Sequence, residues 1–273
     1  MSQSAYVHGY SDREAERLSD QANTLTEILH HDTRFPPGSL VLEAGCGTGA
    51  QTVIITSQNP DCRFRSIDIS QTSLDCAEQR LRTEAGSCIS QVSFKQADIR
   101  NLPYDDETFD HIFLCFVLEH LPEPVNVLRE LKRVLKFGGS IMAIEGDHGS
   151  VYFYPPSQAA IDAVHTQIEL QHRSGGDACI GRRLYPLLTE TGFSDVRVSP
   201  RMVYVDASKP ELIDGFTRKT FTAMIEGVQH NAVAAGLISN ERFEEGIQGL
   251  YRTCEQDGVF CYTFFKAGGV KSR

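Results

Sequence analysis

The chain has 273 residues, 36 of them acidic against 26 basic, for a formal net charge of −10. That balance argues against a broad nucleic-acid surface or docking on anionic lipid, because both partners need clustered Lys and Arg to displace counterions. No apolar run is long enough to span a bilayer, and Met1 to Tyr6 lack the basic-then-apolar pattern of a secretory leader, so a cytoplasmic protein with no membrane insertion is expected.

Residues 12–31 are predicted to be helical. Ser11 or Asp12 can cap the helix, and Leu18, Ala22, Leu25 and Leu29 recur at helical spacing as an apolar stripe. Arg17 falls off that stripe with Arg13, Glu16 and Asp20, the arrangement of a solvated face. Pro36-Pro37-Gly38 then leads into a short apolar strand at 40–42, followed by Glu43-Ala-Gly-Cys-Gly-Thr-Gly-Ala50 and the start of a second helix. Gly45, Gly47 and Gly49 allow the backbone to take positive φ and to approach a ligand closely, while N–H groups at the helix start face an anion or carboxylate.

Two cofactors use such a turn. Gly45, Gly47 and Ala50 satisfy the G-x-G-x-x-G/A dinucleotide fingerprint, and Asp68 follows at the distance of a ribose-binding acid, which admits NAD. Glu43 suits a zwitterionic ligand with an ammonium group better than it suits a pyrophosphate, whose charge it would repel.

Further strands are expected at 63–69, ending near Asp68, and at 92–96, ending near Asp98. Two more follow at 111–115, ending at Cys115 and Phe116, and at 140–144, which delivers Glu145 to Ser150 to the same edge. Helices are expected at 71–85, 125–136, 156–172 and 182–191. A strand at 196–198 precedes a helical stretch at 209–257, broken near Gly236 and Ser239, and a last strand occupies 259–266. Alternating strands and helices specify a doubly covered, mostly parallel α/β sheet. The eight cysteines show no C-x-x-C pair, so no metal is expected and they read as small reduced core residues.

The block Glu43-Ala-Gly-Cys-Gly-Thr-Gly49 resembles the first motif of the class I S-adenosylmethionine-dependent methyltransferases. Leu102-Pro103, the acids Asp105 to Glu107, Thr108-Phe109-Asp110 and Leu118-Glu-His-Leu-Pro-Glu-Pro124 resemble the ubiquinone and menaquinone biosynthesis type of that family. The resemblance implies a Rossmann-like seven-stranded sheet whose last strand is antiparallel. It also implies S-adenosyl-L-methionine as cofactor, direct displacement as the reaction, and a small-molecule acceptor. Carried onto this sequence, it makes Glu43, Gly45, Cys46, Gly47, Gly49, Asp68, Ile69, Asp98, Ile99, Cys115 and Phe116 cofactor-binding. It further makes 1–36 a lid region with Tyr10 and Arg17 over the cofactor. Residues 37–150 become the cofactor-binding half and 151–273 the remainder, with 209–257 as a substrate-covering insertion. His148, at a strand end, is the candidate general base, alongside Glu119, His120 and Asp147. An NAD-dependent oxidoreductase and a non-catalytic cofactor-binding protein are the competing readings.

Overall fold

The computed structural model describes residues 12–273. Helix α1 (Asp12–His30) precedes β1 (Leu40–Ala44), α2 (Ala50–Gln58), β2 (Arg63–Asp68), α3 (Gln71–Glu84), β3 (Val92–Gln96), β4 (Phe109–Cys115), α4 (Pro124–Val134) and β5 (Leu135–Tyr154). Then come α5 (Gln158–Arg173), α6 (Leu184–Glu190), β6 (Ser194–Val205), the short α7 (Pro210–Leu212) and a π-helix, Ile213–Thr222. Helices α8 (Ala223–Gly227), α9 (Gln229–Ala234) and α10 (Asn240–Arg252) lead to β7 (Val259–Val270). The seven strands form one sheet in the order β3-β2-β1-β4-β5-β7-β6. Strands β1 to β5 pair in parallel, and β7 runs antiparallel to both of its neighbours.

Local chemistry explains where the helices begin. Ser70, Ser157 and Ser239 each accept from the backbone N–H three residues on, at 3.2 Å, and so satisfy a donor the helix leaves orphaned. Pro124 opens α4 where no N–H is needed. Helix α4 then buries Val127, Leu128, Leu131 and Val134 on one face, each worth about 1.5–3 kcal/mol for full removal from water. The sheet is covered on both sides, as the near-continuous apolar strands require: Val41 packs into one core and its neighbour Leu42 into the other.

Three elements depart from the sequence expectation. Helix α4 stops at Val134, and β5 extends to Tyr154 instead of ending at 144, so Glu145 to Ser150 lie within a strand and not in a loop. Strand β6 spans twelve residues where three were expected. The cause is shared: β7 pairs with β5 from Ser140↔Val270 to Tyr154↔Val259 and with β6 from Ser194 to Val205, so a long antiparallel ribbon stabilises residues whose own pattern is weakly strand-like. The stretch between β6 and β7 is helical as expected, but its central part is a ten-residue π-helix.

Helix α1 is tied to the far side of this ribbon. The Lys266 ammonium, buried on β7, donates to Leu29 O at 3.1 Å, Asp32 Oδ1 at 2.6 Å and Thr33 Oγ1 at 2.7 Å. Against the π-helix, α1 packs backbone-close: a Cβ on Gly215 would run into Thr24. The two elements therefore form one roof over the carboxyl edge of the sheet.

Candidate active site

The glycine turn after β1 is built by positive φ at Gly45 (80°), Gly47 (52°) and Gly49 (81°). Two of these glycines are also sterically required. A Cβ on Gly45 would come within 2.7 Å of Val117, and one on Gly49 within 2.8 Å of the Ala77 backbone. The turn is held from the next strand, where Asp68 accepts from Gly47 N through Oδ2 and from Ser70 N through Oδ1, both at 2.9 Å.

A cavity of about 860 Å³ opens at this turn and is lined by Gly45, Cys46, Gly47, Asp68 and Ile69 at one end. Asp98, Ile99, Cys115 and Phe116 also line it, as does Arg17 from α1. Asp98 is gripped by the Arg100 guanidinium at 2.7–3.0 Å, which holds its carboxyl below the usual range. Ile69 is 53% exposed, an apolar surface offered to a flat partner. Cys115 is buried, and burial pushes its thiol well above the ordinary value, so it is a wall and not a nucleophile. Phe116 takes a left-handed φ of 59° at the end of β4. Beyond it, Val117 N and Leu118 N donate to the buried Glu145 Oε1 at 3.0 and 2.8 Å, which fixes the turn that carries this wall.

Several candidates move. Glu43 does not line the cavity: it lies 2% exposed beneath the turn, where both its oxygens accept from Thr52 Oγ1 and Oε2 also accepts from Ser66 Oγ at 2.6 Å. Burial raises its carboxyl to about 7 in spite of these donors. It is a brace between β1, α2 and β2. Asp147 is likewise withdrawn, paired through both oxygens with Arg182 at 2.7 Å. Gly49 forms the cap of α2 against α3 and does not line the cavity. Arg17, off the apolar stripe and placed over the cofactor by the resemblance, is buried at the cavity wall and donates to Gln21 at 3.3 Å. Tyr10 lies outside the described residues.

At the other end of the cavity His148 stands 7% exposed, and burial lowers its basicity, leaving a neutral imidazole at neutral pH. Its Nδ1 is 2.7 Å from the Tyr262 hydroxyl, while Nε2 has no hydrogen-bond partner among the described residues. Phe216, Thr220, Phe221 and Met224 from the inserted helices close this end, with Tyr262 and Phe264 from β7. The sequence reading missed Tyr262 and Phe264. Both sit at alternate positions of an apolar strand, a pattern that signals burial and gives no hint of a cavity.

The glycine cradle and the hydroxyl of Thr48, buried at the wall without a partner, suit a ligand that carries both a nucleoside and an amino-acid part. A methyltransferase domain family matches residues 42–143, which run from β1 into β5.

Relatives of the chain include an uncharacterised methyltransferase of Schizosaccharomyces pombe, 40% identical over 118 residues, which make up 42% of each chain. A demethylmenaquinone methyltransferase of Bacillus licheniformis is 29% identical over 149 residues, 51% of this chain and 62% of that one. The chain thus spans about half the length of the curated relatives it matches. Among solved structures, a phosphoethanolamine N-methyltransferase of Haemonchus contortus has the same fold, with a TM-score of 0.57 over 93% of this chain and 53% of that one at 16% identity.

Proposed function

We propose that the protein is an S-adenosylmethionine-dependent methyltransferase that acts on a small-molecule acceptor. The observation that carries this reading is the continuity of the cavity: it runs from the glycine turn, Asp68 and Asp98 to His148 beneath the inserted helices. A cofactor sensor has no need of space at that second end. A volume of about 860 Å³ is large among small-molecule sites, which span roughly 300–1,000 Å³, and leaves room for cofactor and acceptor together.

In this reading Gly45, Cys46 and Gly47 cradle the amino-acid part, Asp68 receives the ribose hydroxyls, and Asp98 with the backbone at Ile99 reads the base. Ile69 packs on the base, Cys115 and Phe116 wall the methionine chain, and Arg17 meets its carboxylate, with Tyr10 joining from the segment ahead of α1. When bound, S-adenosylmethionine supplies a methyl group already activated by its sulfonium charge. The chain's own work is to align the acceptor, exclude water and take up a proton. His148 serves as the base through Nε2, because Nδ1 is engaged by Tyr262. Residues 1–36 act as lid, 37–150 as the cofactor half, and 151–273 complete the fold and cover the acceptor. The net charge of −10 disfavours a nucleic-acid partner, none of the described helices is long and apolar enough to cross a membrane, and the reading places the enzyme in the cytoplasm.

Calorimetric titration with S-adenosylmethionine, S-adenosylhomocysteine and NAD tests the cofactor assignment. Micromolar binding of the first two, lost in Asp68→Ala, is expected; binding of NAD alone would overturn it in favour of an oxidoreductase. For the base, His148→Ala should lose methyl transfer and its pH dependence, and an unchanged rate at every pH would end that role.

A further inference from the structure

The acceptor end of the cavity has a narrower chemistry than methyl transfer requires. Six rings meet there: Phe116, His148, Phe216, Phe221, Tyr262 and Phe264. Tyr262 lies 4.7 Å from Phe264 and 5.5 Å from Phe221 between centroids, Phe116 lies 5.4 Å from Phe264, and His148 lies 6.2 Å from Phe221. These are the spacings at which aromatic faces and edges attract one another, so a flat ring entering the group is met by the same forces.

The π-helix makes this wall. In an α-helix, at 3.6 residues per turn, side chains five apart diverge; the wider turn, closing i to i+5, brings them onto one flank. Phe216 and Phe221 accordingly reach the same cavity, 6.5 Å apart, and Thr220 Oγ1 satisfies Gly215 O five residues back at 2.7 Å. Runs of this geometry are rare and concentrate at functional sites.

Polar groups near His148 have partners within the fold. Glu119 accepts from Gln171 Nε2 at 3.2 Å and stands 3.6 Å from His120 Nε2. Asp147 is paired with Arg182, and Arg17 donates to Gln21. The Asp147 charge is met by the Arg182 guanidinium, and the His148 Nε2 is available to a hydroxyl.

We infer that the acceptor is a flat, apolar molecule bearing an acidic hydroxyl, a phenol or enol, that lies among these rings with its oxygen at His148 Nε2. This deepens the methyltransferase reading and rests on it. The hydroxyl O–H bond breaks and its proton passes to Nε2, while Nδ1–H donates to the Tyr262 oxygen. An oxygen lone pair forms the O–CH₃ bond as the C–S bond breaks, and the electron pair of that bond returns to sulfur. The products are a methyl ether, a neutral thioether and an imidazolium, which returns its proton to water.

The probe is 2-naphthol, whose emission can be followed directly because the chain has no tryptophan. Protein saturated with S-adenosylhomocysteine should bind it and change its emission. Phe221→Leu and Phe216→Leu should weaken that binding about 10-fold, the loss of one aromatic contact, with unchanged affinity for S-adenosylhomocysteine showing that the variants fold. With S-adenosylmethionine, 2-naphthol should give its methyl ether and 2-naphthylamine nothing, and His148→Gln should retain naphthol binding and lose ether formation. If S-adenosylhomocysteine binds but naphthol does not, or the amine is bound and methylated in preference, the acceptor class is overturned and the methyltransferase reading stands. If S-adenosylhomocysteine does not bind, both fall.

Discussion

Gly47 donates its backbone N–H to Asp68 Oδ2 at 2.9 Å, a bond that spans 21 positions and ties the glycine turn to the end of the neighbouring strand. The same carboxylate therefore shapes the turn and, in the proposed enzyme, meets the cofactor. Asp68→Asn keeps one acceptor oxygen and should weaken S-adenosylhomocysteine binding by about 10-fold, whereas Asp68→Ala should cost nearer 100-fold. Those losses correspond to one and two charge-assisted hydrogen bonds. Equal losses in the two variants, measured by calorimetry, would separate the turn from binding.

The glycines of the turn are not equivalent. At Gly49 an added methyl meets the Ala77 backbone at 2.8 Å and a φ of 81°, whereas at Gly47 nothing stands within 4 Å. Gly49→Ala should lose roughly 2–4 kcal/mol of stability, combining backbone strain with overpacking, and Gly47→Ala about 1–2 kcal/mol. Denaturant unfolding of both variants reads the difference; the reverse ranking would contradict the packing described.

Glu43 predicts a dependence of stability on pH. Its carboxyl rises from 4.5 to about 7 on folding, so the native chain holds a proton that the unfolded chain releases. Stability from this group is fully present below 4.5 and is lost as pH rises through about 7. Glu43→Gln removes the titration and should flatten this decline, with an upper bound of roughly 3.5 kcal/mol at about 1.4 kcal/mol for each pH unit between the two values. Unfolding midpoints across that pH range check it, and parallel curves for the two proteins would refute it.

Gly146 leaves the space that the Tyr262 hydroxyl occupies, since a Cβ there would collide with it. Gly146→Ala should displace that hydroxyl from His148 and reduce methyl transfer by about 10-fold or more, the scale of a mispositioned base. Affinity for S-adenosylhomocysteine should change little. A parallel fall in both quantities would point to general damage.

Lys266 carries a separate prediction about the roof. Lys266→Met removes the buried donor to Leu29 O, Asp32 and the Thr33 hydroxyl and should cost about 1–3 kcal/mol. Amide hydrogen exchange should rise first in the last turns of α1, and exchange no faster there than in the unaltered protein would show that the helix is held by its apolar face alone.

The fold and the cavity at the glycine turn were legible because they depend on short-range rules. Helical and strand periodicity specified alternating elements, the glycines specified a turn of positive φ, and Asp68 and Asp98 stood at strand ends, where an open parallel sheet brings its carboxyl edges together. The His148 end of the cavity depended on contacts across more than a hundred residues. His148 meets Tyr262 only because β7 inserts antiparallel beside β5, and that pairing also extends β5 and β6 past the point where their own residues favour a strand. Glu43 reads in sequence as a ligand for an ammonium group; the packing of α2 on β2 surrounds it with Thr52 and Ser66 and removes it from the cavity. Phe216 and Phe221 read as core residues, and in the fold they are both core and cavity wall, because a π-helix stacks residues that an α-helix would separate. Local backbone preference thus determined the elements and the turn, while burial and strand pairing between distant segments decided which polar groups face the ligand.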